Sequence, residues 1–213
     1  MKINLEVLEA SYIYDKEVIK DLNTKELVPK MVTRRRLTKA AKIVIYLASK
    51  IDLNNNRIVF GIAYGETKAT QSILHSINDN EQISPTVFQN SVYNTAVSYL
   101  SMLTNNTNEI MTISSGDRTS ANILKAGAIK AIDGDEIILM SVEALNIENI
   151  DKLNNCIDYL EVGVALKVRF TKESKTLDFD NANEENYPNS VIDMLNIAKQ
   201  FNPDKKNIIE INI

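Results

Sequence analysis

Apolar positions along the chain fall into two periods, and the periods alternate. "INLEVLEASYIY" alternates imperfectly and predicts a first strand over 3–14. "LTKAAKIVIYLASKI" carries a broad apolar stripe and predicts a helix over 37–51. "IVFGIAYG" is a short β-branched run, which predicts a buried strand, and "TKATQSILHSI" predicts a second helix. Phe88, Val92, Ala96, Leu100 and Leu103 recur three or four residues apart, which predicts one amphipathic helix over 86–103. "EIILMSVEA", "YLEVGVALKVRF" and "NIIEINI" read as strands. "NSVIDMLNIAKQF" reads as a helix capped by Asn189 or Ser190, and the polar stretch 171–188 before it reads as an exposed loop. Strands alternating with helices indicate an α/β layered fold, a mixed and mostly parallel sheet with helices on both faces. No internal repeat or linker divides the chain, so 1–213 reads as one domain.

One stretch stands apart. "EIMTISSGDRTSANILKAGAIKAIDGDEIILM" joins an apolar strand to a Ser-Gly turn and then to a helix with few polar interruptions, Asn122, Lys125 and Lys130. A helix apolar on most sides is expected to be buried on most sides. Its N-terminus has free N–H groups and a partial positive charge, a seat for an anion or a developing oxyanion.

Composition removes several function classes. Hydrophobic residues make up 44% and charged residues 24% of 213, ordinary values for a globular protein. The net charge of −4 argues against a nucleic-acid binder. Cys156 stands alone, so no internal disulfide forms, and with a single histidine, His75, no zinc site is expected. "FGIAYGE" lacks a dinucleotide or P-loop glycine pattern, so no cofactor is predicted. Gly65 there reads as a tight turn. The N-terminus places Glu6 and Glu9 where a signal peptide needs apolar residues, and no apolar run reaches the roughly 18 residues of a membrane span. A cytoplasmic protein is expected.

The turn offers Ser114, Ser115, Gly116, Asp117, Arg118 and Thr119. Asp117 reads as a cap of the following helix or, alternatively, as a general base. A hydroxyl nucleophile at Ser114, Ser115 or Thr119 needs a base, and His75 is the sole histidine to supply one. Arg34, Arg35 and Arg36, with Lys39 and Lys42 beyond, form a basic cluster that is either a solvated helix start or a docking patch for something anionic, such as an acidic carrier protein. Asn90, Asn94 and Ser98 draw a polar line down an apolar helix, either an exposed face or a stripe meeting a partner subunit.

Three segments in order resemble the N-terminal half of β-ketoacyl synthases of the thiolase fold. "SPTVFQNSVYNTAVSYLSM" matches at Ser84, Pro85, Asn94, Ala96, Leu100 and Ser101; "MTISSGDRTSANI" matches the nucleophile turn; "DGDEIILMSVEA" matches the turn and strand beyond it. The resemblance runs from about 31 to about 144 and is weaker over 156–170. More closely, the chain resembles the short chain length factors of aryl polyene and related pigment clusters, through Arg35-Arg36-Leu37, Gly65-Glu66, Ser84-Pro85, Ser91-Val92-Tyr93-Asn94 and Ser115-Gly116-Asp117-Arg118-Thr119. It departs from that pattern at Tyr93, where histidine is usual, at Ala63-Tyr64, where Arg-His is usual, and at Asp117-Arg118. The Gly-Pro that precedes the nucleophile strand in ketosynthases is absent from "TNNTNE".

The resemblance implies a thiolase-like half fold with a buried central helix. It places the synthase cysteine at Asp117, or at Gly116 one residue away, and neither carries an acyl thioester. The family's two further histidines come from a C-terminal half that this sequence lacks. No catalytic residue is therefore assigned. The expected role is a non-catalytic subunit that pairs with a ketosynthase or with itself, and contacts a partner or an acyl carrier protein through Arg34, Arg35, Arg36, Asn94 and Ser98. The alternatives are an acyl-thioester hydrolase or transferase using the Ser114–Asp117 turn, and a stand-alone acyl-binding homodimer.

Overall fold

A computed structural model describes residues 1–153, 156–179 and 186–213. Strand β1 (Lys2–Asp15) is followed by short helices α1 (Thr24–Leu27) and α2 (Met31–Arg36) and by α3 (Lys39–Ala48). Then come β2 (Arg57–Gly61), α4 (Thr67–Asn78), α5 (Pro85–Gln89), α6 (Thr95–Thr104), β3 (Ile110–Ile113), α7 (Thr119–Ala131) and β4 (Ile137–Ala144). The chain ends with α8 (Ile150–Leu153), β5 (Glu161–Thr171), α9 (Asn189–Gln200) and β6 (Asn207–Asn212). The imperfect alternation of β1 has a cause: its register with β5 slips between Val7 and Glu9, where a bulge takes up one residue.

The strands form one sheet in the order β3-β2-β4-β5-β1-β6. The sheet is mixed, as expected, but it is not mostly parallel. β2 runs parallel to β3 and β4, whereas the β4–β5, β1–β5 and β1–β6 ladders are antiparallel. The parallel ladders lie where helices cross over between strands; β5 instead returns antiparallel to β4, and β1 and β6 extend it that way.

Helices cover both faces. Ile58, Phe60, Ile138, Met140 and Val142 point to a core shared with α3 and α6. Val59, Ile137, Leu139, Val164 and Leu166 point to a second core with α7 and α9. Strands buried on both sides read as continuous apolar runs, as β2 and β4 do. α7 sits close against the sheet: a Cβ on Gly127 would fall 2.4 Å from Leu139 Cδ2. Only its sheet-facing side is buried, through Ile123, Leu124, Gly127, Ala128 and Ala131. Ile129 and Ile132, just past its end, stay exposed, because no described element of this chain covers that side.

Several sequence expectations are refined. The helix expected over 86–103 is two helices, α5 and α6, broken over 90–94, where Asn90 leaves the helix to donate to Arg36 O at 3.1 Å. Phe88 and Val92 consequently lie exposed. α9 is capped by Pro188, with no side-chain cap, because the Ser190 hydroxyl is buried and bonded elsewhere. The basic triplet, read as a helix start or docking patch, forms the last turn of the short helix α2. The loop expected over 171–188 is pinned at Thr176 and Leu177, whose amides donate to Ile208 O; its residues 180–185 lie outside the described residues. Among the described residues, no helix is long and apolar enough to cross a membrane.

Candidate functional site

The strand, turn and helix expected over 109–140 are present as β3, a 3₁₀ turn over Gly116–Arg118, and α7. β3 enters the turn beside β2, with Ile113 opposite Gly61. Gly116 has φ of 55°, the left-handed conformation that side-chain-bearing residues rarely adopt, and this lets the chain reverse tightly into α7. Thr119 closes the bend. Its hydroxyl is buried, accepts from Ser115 N at 3.0 Å and donates to Gly116 O at 2.7 Å. Ser114 Oγ donates to Ala63 O at 3.2 Å. Of the candidate hydroxyls, Thr119 is buried in holding the turn, Ser114 is exposed with its hydroxyl bonded to Ala63 O, and Ser115 is exposed, as is the Asp117 carboxylate.

The C-terminal helix completes the site. Asn189 Nδ2 donates to Asp117 Oδ2 at 3.4 Å, and Ser120 Oγ donates to Asp193 Oδ2 at 2.8 Å. Both bonds lay the first turns of α9 along the start of α7. The reading of Asp117 as a side-chain cap is not met: α7 has no side-chain cap, and the carboxylate accepts from Asn189.

The chemistry beneath the turn was not read from the sequence. Glu143, fully buried near the end of β4, accepts from Ala63 N at 2.7 Å and Ser190 Oγ at 2.8 Å, and its other oxygen accepts from Tyr64 N at 3.4 Å. Burial pushes its carboxyl up to about 7 against these three donors. Tyr64 is raised as well, by burial first and then by the carboxylates of Asp117 and Glu143. The signal was present: Glu143 is the one charged residue in the buried run of β4. Glu66, two residues after Tyr64, is a second buried carboxyl raised to about 7 by burial, and it accepts from Thr38 Oγ1 at 2.7 Å.

The remaining predicted residues lie outside this cluster. His75 is exposed in the last turn of α4 and makes no hydrogen bond to Ser114, Ser115 or Thr119. Arg34 donates to Val28 O and Pro29 O, so it fixes the preceding turn, while Arg35 and Arg36 are exposed. Asn94 and Ser98 line a shallow groove with Asn90, Tyr99 and Met102. Asn90 touches both this groove and Arg36, so the basic triplet and the polar stripe adjoin each other. Among the described residues, no group of three His, Cys, Asp or Glu side chains is placed to hold a metal ion.

Residues 14–209 match the model of the β-ketoacyl synthase N-terminal domain. The chain belongs to this family. Solved structures with the same fold include a chain of the ketosynthase ApeO in complex with its chain length factor ApeC from Xenorhabdus doucetiae, with a TM-score of 0.65, 18% identity and 87% of each chain covered. The ishigamide ketosynthase/chain length factor gives 0.63 at 9% identity, over 83% of this chain and 64% of that one. The AntDE:AntF complex, a type II ketosynthase with its acyl carrier protein, gives 0.57 at 13% identity, over 80% of this chain and 64% of that one. The chain therefore spans less than two thirds of the length of the latter two. No curated protein matches the sequence. Within this β-ketoacyl synthase N-terminal domain, β3, the Gly116–Arg118 turn and α7 follow one another as strand, turn and helix.

Proposed function

We propose that this chain is a non-catalytic, chain-length-factor-like subunit of fatty-acid or polyketide-type polyene biosynthesis that works in a pair with an active ketosynthase. The observation that carries this is the turn itself. It is built as a nucleophile bend, yet Thr119 and Ser114 are consumed in holding it, and Asp117 stands where the resemblance puts the cysteine. A carboxylate there forms no thioester, and no histidine adjoins it. Pairing is supported by large apolar side chains that a lone chain leaves wet, Leu74 and Ile77 on α4, Phe88 on α5 and Val92 after it, and separately Ile129 and Ile132 at the end of α7. Neighbours of the same fold are ketosynthase assemblies with a chain length factor or an acyl carrier protein. Arg35 and Arg36 are the residues proposed to meet an acidic carrier protein.

The test is co-expression with a ketosynthase encoded beside it. Stoichiometric co-elution is expected, with acyl groups from carrier-protein thioesters found by intact mass on the synthase and not on this chain. Asp117→Ala in the pair should leave condensation within about twofold, a change below 1 kcal/mol in the barrier. Acyl transfer to this chain alone, abolished by Asp117→Ala or Ser115→Ala, overturns the proposal.

A further inference from the structure

Separate from the turn lies a cavity of about 410 Å³ between the starts of α3 and α4, the end of β4 and the start of β5. That volume falls within the roughly 300–1,000 Å³ of small-molecule sites. Its wall is apolar through Leu37, Val87 and Ala144, and three lysines, Lys39, Lys42 and Lys68, line it in a protein of net charge −4. Lys39 is already satisfied, donating to Ile19 O at 2.6 Å and pairing with Glu161 at 3.0 Å. Lys42 and Lys68 have no hydrogen bond or ion pair to any described side chain. Lys42 is held below the usual lysine value by partial burial, then by the charges of Lys39 and Lys68. Two neighbouring cations without a counter-ion, one partly buried, make a site that an anion relieves. The only other titratable groups lining the cavity are Glu161, which Lys39 neutralises, and Glu66, which is 7% exposed and accepts one bond, from Thr38.

The geometry points to a binding site for a small organic acid, its carboxylate between Lys42 and Lys68 and a short apolar tail over Leu37, Val87 and Ala144. This assignment rests on the cavity and its charges and stands independently of the pairing proposed above. Glu66 sets its pH dependence. Burial raises this carboxyl to about 7, so below that pH it is neutral and tolerates a bound anion, and above it the ionised form repels one.

The test is calorimetric titration of the full chain with octanoate, with inorganic phosphate as comparator, at about pH 6 and about pH 8.5, on either side of the Glu66 transition. Saturable octanoate binding is expected, tighter than phosphate and tighter at the lower pH. Lys42→Gln and Lys68→Gln should each weaken it about tenfold, the scale of one charge-assisted contact. Glu66→Gln should retain binding and remove the pH dependence. Circular dichroism checks that each variant is folded, and exposed Lys68 supplies the readout if Lys42→Gln is not. No saturable binding, phosphate binding as tightly as octanoate, unchanged affinity in both lysine variants, or a pH dependence that survives Glu66→Gln each overturns the assignment.

Discussion

Ser190 donates a hydrogen bond to the buried carboxyl of Glu143 at 2.8 Å, and this one contact joins the first turn of α9 to the end of β4. Glu143 in turn grips the Ala63 and Tyr64 amides, so the loop after β2, the central strand and the C-terminal helix share one polar anchor under the turn.

Removing the hydroxyl should loosen that anchor. Ser190→Ala leaves one oxygen of Glu143 short of a donor in a buried setting, at a cost of about 1–3 kcal/mol. Urea unfolding followed by circular dichroism measures it. A midpoint equal to that of the parent would mean that Glu143 is satisfied without Ser190.

The seating of α7 on β2 gives a second prediction. A Cβ at Gly61 would lie 2.4 Å from Ile123 Cδ1 and 2.6 Å from Thr119 Cγ2, both on fully buried side chains. Gly61→Ala should destabilise the chain by about 1–3 kcal/mol, the usual cost of overpacking. Thr119 holds the Ser115–Gly116 bend, so the same variant should expose that bend to limited proteolysis sooner than the parent.

Acid and base should act on stability in an unusual sense. Glu66 and Glu143 have folded values of about 7, above the ordinary 4.5 of a glutamate. Between those two values the folded chain holds more protons than the unfolded one, so stability falls as pH rises from about 4.5 to about 7 and levels off above. Each carboxyl contributes at most roughly 3 kcal/mol to that fall. Unfolding midpoints measured across this range should decline, and Glu66→Gln, which still accepts from Thr38, should flatten the slope.

Charge placed on the apolar outer surface should separate folding from pairing. Phe88 is 63% exposed and Leu74 is 61% exposed. Phe88→Glu and Leu74→Glu should each change the unfolding midpoint of the isolated chain by no more than about 0.5 kcal/mol, as exposed positions do. The same variants should weaken co-elution with a ketosynthase at least tenfold, the effect of a charge set into an apolar interface. Analytical ultracentrifugation of the mixture reads the second quantity.

The parts of this molecule legible in its sequence are those where one period holds without interruption. β2 and β4, buried on both faces, and α3, with its apolar stripe, stand where the pattern put them. The turn was equally plain, because Ser-Gly between an apolar strand and an apolar helix leaves little other geometry. The break between α5 and α6 was hidden because Phe88 and Val92 keep the helical spacing while facing water, and because the interruption depends on Asn90 reaching Arg36, 54 residues earlier. Ser190 looked like a helix cap for the same reason: a hydroxyl next to a helix start reads as a cap until a buried carboxyl elsewhere claims it. Glu143 and Glu66 carry raised carboxyls near the site: the apolar run of β4 around Glu143 signals its burial, whereas Glu66 follows a turn and is buried only by tertiary packing, which no local pattern encodes.

β3 ends the sheet with four half-buried residues, Ile110, Met111, Thr112 and Ile113, none of them charged and none a proline. Natural sheets usually blunt such a margin with lysine, proline or a covering loop. A margin left unblunted is a standing demand on supply: copies synthesised faster than it can be covered will find one another instead. On the pairing proposed above, the yield of usable protein in a cell should follow the ratio at which the two polypeptides are made, and surplus of this one should sediment with the insoluble material.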